Sequence, residues 1–248
     1  MALKCYNYAD MKEKINLGKW SPESLDTLLH KTFALSKTEE KIDLLSRQFL
    51  NIPYKENTLI GNQDKPEIFV INLKTVDCYT FIDIVEAMCL SNSFDEFKER
   101  LKDVRYQQGI VSFENRNHFF INWRENKSDF IEDVTVSVGR SAQVDKVLNA
   151  RGDGMFYLPG IACINLIINY IPSESIDNES VDNLKTGDYI GIYSDKPGLD
   201  VSHVGIFIRD NAGTFLRHAS QKHRKVVDED FKEYIKNKPG IIVLRAKN

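Results

Sequence analysis

Four cysteines in 248 residues, at positions 5, 78, 89 and 163, are too few and too irregularly spaced for a disulfide framework, and no C-x-x-C pair marks a zinc ribbon. Apolar runs are short, and none approaches the ~20 residues that a membrane span needs. The start, MALKCYNYADMKEK, has no apolar h-region, so no secretory signal is expected there. An excess of one charge is also missing: 33 Lys and Arg stand against 36 Asp and Glu, a net charge of −3. That balance, with a pI near 6.0, removes the electrostatic motive for binding nucleic acid. There is no internal repeat and no low-complexity tract or linker. The G-x-S-x-G elbow, the Walker-type phosphate loop, G-x-G-x-x-G and H-E-x-x-H are all missing too.

What is present is ordinary globular composition, 42% hydrophobic and 28% charged. At ~150 residues per domain the length allows one or two domains, and a chain of this size buries roughly 70–75% of its unfolded surface. Residues 1–50 read as mainly helical, with Ser21-Pro22-Glu23 as a helix start and Ile42, Leu45 and Phe49 on one face of a helix over 37–50. Residues 67–73 read as a strand. From Cys78 onward, Phe81, Ile84, Val85 and Met88 recur at helical spacing, and Phe94, Phe97, Leu101 and Val104 mark the next helix. The segment 116–138 reads as extended chain with turns. Strand-like runs follow at 163–171, 187–194, 203–208 and 214–219, then a short helix at 231–235 and a strand at 241–244. Helices first and strands later favour an α+β fold with a mostly antiparallel sheet. The economical division is an N-terminal helical extension, 1–35, before one catalytic domain, 36–248.

Cys78 is the residue on which chemistry can rest. Inside an apolar helix a cysteine is ordinarily a small buried hydrophobe, and Cys89 and Cys163 read that way. At the first turn it meets unpaired N–H groups and the positive end of the helix dipole, which favour thiolate and can hold an oxyanion. A thiol nucleophile needs a base. His30 and His223 read as incidental. His203 opens one strand and His218 ends the next, and a turn at Asp210-Asn211-Ala-Gly213 would make the two strands an antiparallel hairpin. The two imidazoles would then stand side by side, supplying base and orienting group. A zinc hydrolase built on His118, His203 and His218 is compatible with the spacing but leaves the placement of Cys78 unexplained.

Three blocks, Val76-Asp77-Cys78-Tyr79-Thr80-Phe81, Asp200-Val-Ser-His203-Val-Gly-Ile and His218-Ala-Ser220, resemble the NlpC/P60 superfamily of papain-like cell-wall peptidases and amidases. The D-C-x-T-F block is closer to its N-acetylmuramoyl-L-alanine amidase-like branch, DUF1460. Further matches to that branch are Ile52-Pro53-Tyr54, Arg116-Asn-His118-Phe-Phe with Trp123, Tyr157-Leu-Pro-Gly160 and Gly187-Asp188-Tyr-Ile-Gly-Ile-Tyr193. Val76 departs from the phenylalanine common at that place, which touches local packing alone.

The resemblance implies a papain-like α+β core with Cys78 as nucleophile, His203 as general base and His218 as its orienting partner. Tyr54 would help hold the oxyanion and Asp77 would contact the stem peptide, with Arg116, His118 and Trp123 as candidates for the substrate cleft. The implied partners are peptidoglycan-derived muropeptides, cut between N-acetylmuramic acid (1,6-anhydro form) and L-alanine. No metal and no cofactor is implied, the protein is expected to be a monomer, and its compartment is the bacterial envelope, with the cytoplasm as the alternative. A γ-D-glutamyl-diamino acid endopeptidase and a catalytically silent peptidoglycan-binding module are the competing readings.

Overall fold

A computed structural model of the chain describes residues 13–126 and 129–247, so Cys5 lies outside the described residues. The first half is mainly helical: β1 (Glu13–Asn16), α1 (Pro22–Phe33), α2 (Thr38–Arg47), the strands β2 (Ile60–Asn62) and β3 (Lys65–Asn72), then α3 (Cys78–Cys89) and α4 (Phe94–Arg105). A connecting stretch carries α5 (Asn122–Asn126), β4 (Ile131–Asp133) and α6 (Thr135–Val138). The second half is mainly strand: β5 (Ala142–Leu148), β6 (Ile164–Pro172), α7 (Asn178–Asn183), β7 (Tyr189–Tyr193), β8 (Val201–Asp210), β9 (Gly213–Ser220), β10 (Lys225–Asp230), α8 (Phe231–Ile235) and β11 (Gly240–Ala246).

The large sheet runs β10-β9-β8-β7-β11-β6-β5, with β4 added to β11. Every one of its pairings is antiparallel. This is the α+β arrangement expected from the order of elements. Side chains alternate across the central strands, so both faces are covered. On β7 and β8, Tyr189, Val204, Ile206 and Ile208 join the core shared with α1 to α4, while Ile190, Ile192 and Phe207 join a second core with α6, α7 and α8. Leu25 and Leu29 of α1 belong to the same main core as Phe81 and Val85 of α3. A smaller sheet, β1-β3-β2, pairs β1 parallel to β3.

Helix α3 begins where it does because Asp77 caps it. The Asp77 carboxylate accepts the Thr80 N–H at 2.8 Å, and the Thr80 hydroxyl accepts the Asp77 N–H at 3.0 Å, a capping box. From Thr80 to Cys89 every residue is buried, as befits a helix enclosed on all sides.

The structure departs from the sequence reading in three places. Segment 116–138 is not extended chain: it holds two short helices around β4, and the Asn122 side chain braces the turn before the first by accepting the Phe119 N–H at 2.8 Å. Residues 13–16 form a strand inside a stretch read as helical. Strands β5 and β10 were not visible in the sequence, because polar residues dominate their exposed faces and pairing with β6 and β9 is what holds them extended.

Candidate active site

Cys78 stands at the first helical position of α3, directly after its Asp77 cap. It keeps part of its surface exposed while its sulfur lies deep among neighbouring groups. The backbone N–H groups of Val204, Cys78 and Tyr79 turn toward the sulfur and favour the thiolate. Burial, followed by the negative charge of Asp77, outweighs them and pushes the thiol up to about 12. Burial thus opposes the thiolate that the helix terminus favours. Val204 follows His203, so the strand that carries the candidate base runs past the sulfur.

The hairpin is built as the turn signal predicts, with Asp210 opposite Gly213 and Ile206 opposite Arg217. Gly205 has no side chain at the point where that of His218 begins: a Cβ there would lie 3.0 Å from the His218 Cβ. His203 Nε2 lies 2.7 Å from His218 Nδ1, with the rings perpendicular and their centroids 4.9 Å apart. His218 Nε2 in turn lies 2.8 Å from Oε2 of Glu229 on β10. Burial, then electrostatic repulsion from His218 and Lys238, pushes His203 down to about 3. Burial also lowers His218, and Glu229 partly offsets the effect. Burial thus favours the uncharged form of both thiol and imidazole.

Two groups of this cluster escaped the sequence reading. Glu229 sits in a run, Lys225–Asp230, that resembles a solvated charged strand, and only the register of β10 on β9 brings it to His218. Tyr234 of α8 places its ring 4.9 Å from that of His218 and 6.2 Å from that of His203. His223, read as incidental, approaches Glu229 Oε1 at 3.4 Å.

Tyr54 is joined to the same region through backbone contacts with Val76 and Arg224. Burial, then the charges of Cys78 and Asp77, raise its phenol, so it lies within electrostatic reach of the thiol. The Arg224 guanidinium stands 5.5 Å over its ring. Asp200 shapes the other flank: its buried carboxylate accepts the N–H groups of Ile121 at 2.9 Å and Val201 at 2.7 Å. The Tyr79 hydroxyl donates to the Phe119 carbonyl at 2.7 Å. The 119–121 turn is thereby fastened both to the helix of Cys78 and to the strand of His203.

The remaining cleft candidates are placed differently. Trp123 is 0% exposed, packed edge-on against Tyr189 with centroids 5.1 Å apart, so it is a core residue with no face for a ligand. Arg116 makes a two-pronged ion pair with the buried Glu67, whose Oε1 also accepts the Tyr106 hydroxyl at 2.8 Å. His118 Nε2 lies 2.7 Å from the Phe113 carbonyl, and burial pushes this imidazole down to about 4. Arg116 and His118, expected in the substrate cleft, thus each hold an internal partner. His118 does not join His203 and His218, and among the described residues no three His, Cys, Asp or Glu side chains gather as a metal site. Cys89 is buried, whereas Cys163 is exposed just ahead of β6 rather than packed in it. No helix among the described residues is long and apolar enough to cross a membrane.

The antiparallel sheet flanked by helices has counterparts among solved structures. An N-acetylmuramoyl-L-alanine amidase from Bacteroides uniformis is 27% identical, with a TM-score of 0.74 over 85% of this chain and 99% of that one. A Legionella pneumophila protein of the DUF1460 family, 23% identical, shares the fold with a TM-score of 0.77 over 92% of this chain and 94% of that one. A Bacteroides fragilis protein provisionally called a xylanase is 28% identical, with a TM-score of 0.68 over 81% of this chain and 98% of that one. Among curated proteins no sequence matches. The chain belongs to the N-acetylmuramoyl-L-alanine amidase-like family, AmiA-like, whose family model matches residues 44–241.

Proposed function

We propose that this protein is a cysteine-dependent amidase with a papain-like, NlpC/P60-type core. It cleaves the amide between N-acetylmuramic acid, in its 1,6-anhydro form, and L-alanine in peptidoglycan fragments. The observation that carries the reading is Cys78 at the start of α3 with the Val204 N–H turned toward its sulfur, one residue after His203 of the His203–His218 pair linked at 2.7 Å. A neutral thiol beside a neutral imidazole suits general-base catalysis, in which the proton leaves as the sulfur attacks. Cys78 attacks the lactyl carbonyl while its proton passes to His203. The carbonyl π electrons move onto oxygen, and that oxyanion is held by the Cys78 backbone N–H and the Tyr54 hydroxyl. Collapse breaks the C–N bond as His203 returns the proton to the leaving L-alanyl nitrogen. Water, deprotonated by His203, then hydrolyses the thioester and regenerates the thiol.

Asp77 serves first as the cap that sets the start of α3, and its charge faces the leaving peptide. Retaining and inverting glycosidases place two carboxyl groups across a sugar ring. Here the acid that acts on the thiol is the capping Asp77, and Glu229 is bonded to His218, which favours amide over glycoside chemistry. Such a substrate supports a location in the bacterial envelope, with the cytoplasm as the alternative.

The test is a digest of purified anhydro-muramyl tripeptide analysed by mass spectrometry, with Cys78→Ala run alongside. Free L-alanyl peptide from the wild type and none from the variant is the expected result. A sugar that keeps L-Ala-D-Glu would instead identify a γ-D-glutamyl-diamino acid endopeptidase. Binding without turnover in both proteins would identify a peptidoglycan-binding module. Full activity in chelator with inactivation by a thiol alkylating agent would dismiss the zinc alternative.

A further inference from the structure

The contacts around His218 contain an instruction about protons. An ionised carboxylate offers acceptors only, so the 2.8 Å contact between Glu229 Oε2 and His218 Nε2 requires the proton on His218 Nε2. A neutral imidazole then presents Nδ1 as a lone pair. The 2.7 Å contact from His218 Nδ1 to His203 Nε2 therefore requires His203 to carry its own proton on Nε2. The one unprotonated ring nitrogen left in the pair is His203 Nδ1. We infer that Glu229, acting through His218, is the positioning residue that selects the base-competent tautomer of His203, an inference that rests on the amidase reading above.

Without an acceptor at position 229 the chain satisfies itself equally well in reverse. His218 Nδ1–H then donates to His203 Nε2, the His203 proton moves to Nδ1, and His203 has no free nitrogen left to take the thiol proton. The carboxylate is suited to prevent this. Burial would push Glu229 up, but the bond from His218 and the nearby His223 outweigh it and hold the carboxyl below its ordinary value, so it remains ionised and acceptor-only. The groups that face it are His218, His223 and Tyr234, with Lys238 acting on His203 beyond them. When His203 becomes an imidazolium during attack, the same carboxylate stands one imidazole away from the positive charge.

The experiment compares Glu229→Leu and Glu229→Gln with the wild type, using the full chain labelled with ¹⁵N-histidine. Ring-nitrogen chemical shifts report the tautomers of His203 and His218, and kcat and KM are measured on the muropeptide. The wild type is expected to hold both imidazoles as Nε2–H. The leucine variant is expected to show His203 moved toward Nδ1–H, with kcat lower by about 10- to 100-fold and KM within about threefold. Glutamine keeps a carbonyl acceptor, and its kcat is expected to follow whichever tautomer its ring shifts report. An unchanged His203 tautomer in the leucine variant, or a flipped tautomer with undiminished kcat in either variant, would overturn the inference. The spectra need no turnover: shifts that respond to position 229 in a protein inert toward the muropeptide would sink the substrate reading and leave the tautomer assignment standing.

Discussion

Replacing Glu86 with glutamine should stabilise the protein at alkaline pH and not at acid pH. Glu86 lies on the buried side of α3, the helix that begins at Cys78, and is 0% exposed. Its Oε2 accepts the Tyr189 hydroxyl, and its Oε1 has no partner among the described residues. Burial raises the carboxyl from an ordinary value near 4.5 to about 7, with the tyrosine bond a smaller opposing effect. Between those two pH values the folded state holds a proton that the unfolded chain has released, so stability falls as pH rises and the loss is complete above about 7. At 1.36 kcal/mol per pH unit the interval corresponds to about 3 kcal/mol. Glutamine keeps a carbonyl for Tyr189 and carries no charge, but its amide inherits the unpaired position at a cost of about 1 kcal/mol or more. The net expectation is a variant about 1–2 kcal/mol more stable than wild type at pH 8 and slightly less stable at pH 5. Asp83 and Asp200, raised to about 6, titrate in the same direction, while His203 and His118 titrate in the opposite one. The informative quantity is thus the difference between the two proteins in urea unfolding at each pH, from which those shared terms cancel. A difference that is the same at pH 5 and pH 8 would refute the assignment of a buried, raised carboxyl to Glu86.

Three further outcomes follow from the geometry. Alkylation of Cys78 by iodoacetamide, read site by site against exposed Cys163, should be slow at pH 7 and climb only above about pH 9, since the thiol is pushed up to about 12; a labelling midpoint at or below pH 7 would reveal a preformed thiolate. Arg105→Met strands Asp83, its buried partner at 3.0 Å, and should lower unfolding free energy by about 3–5 kcal/mol, most of it recovered when Asp83→Leu is added. Recovery absent in the double variant would mean that Arg105 acts through its 2.6 Å bond to the Val70 carbonyl instead. Tyr54→Phe should lower kcat on the muropeptide by about 100-fold with KM little changed, and a loss below about threefold would remove Tyr54 from the oxyanion site.

Much of the fold and the centre of the site could be read from local signals. The helix beginning at Cys78 follows from apolar residues at helical spacing, while the Asp77–Thr80 capping box that fixes its first residue emerged with the structure. The pairing of His203 with His218 follows from a turn at 210–213 and the two-residue period of strands, and the structure forms that hairpin in the expected place. What sequence could not supply was long-range. Glu229 reaches His218 through a strand register, and Arg116 is neutralised by Glu67, 49 residues away in the chain. Trp123 is enclosed by Tyr189 rather than open to a ligand. The helix terminus alone argued for a thiolate, whereas the enclosed surroundings of Cys78 and the charge of Asp77 oppose it. Local pattern decided which residues stand where along each element. Protonation state and tautomer depend on which distant groups exclude water and supply partners, so only the tertiary structure could decide them.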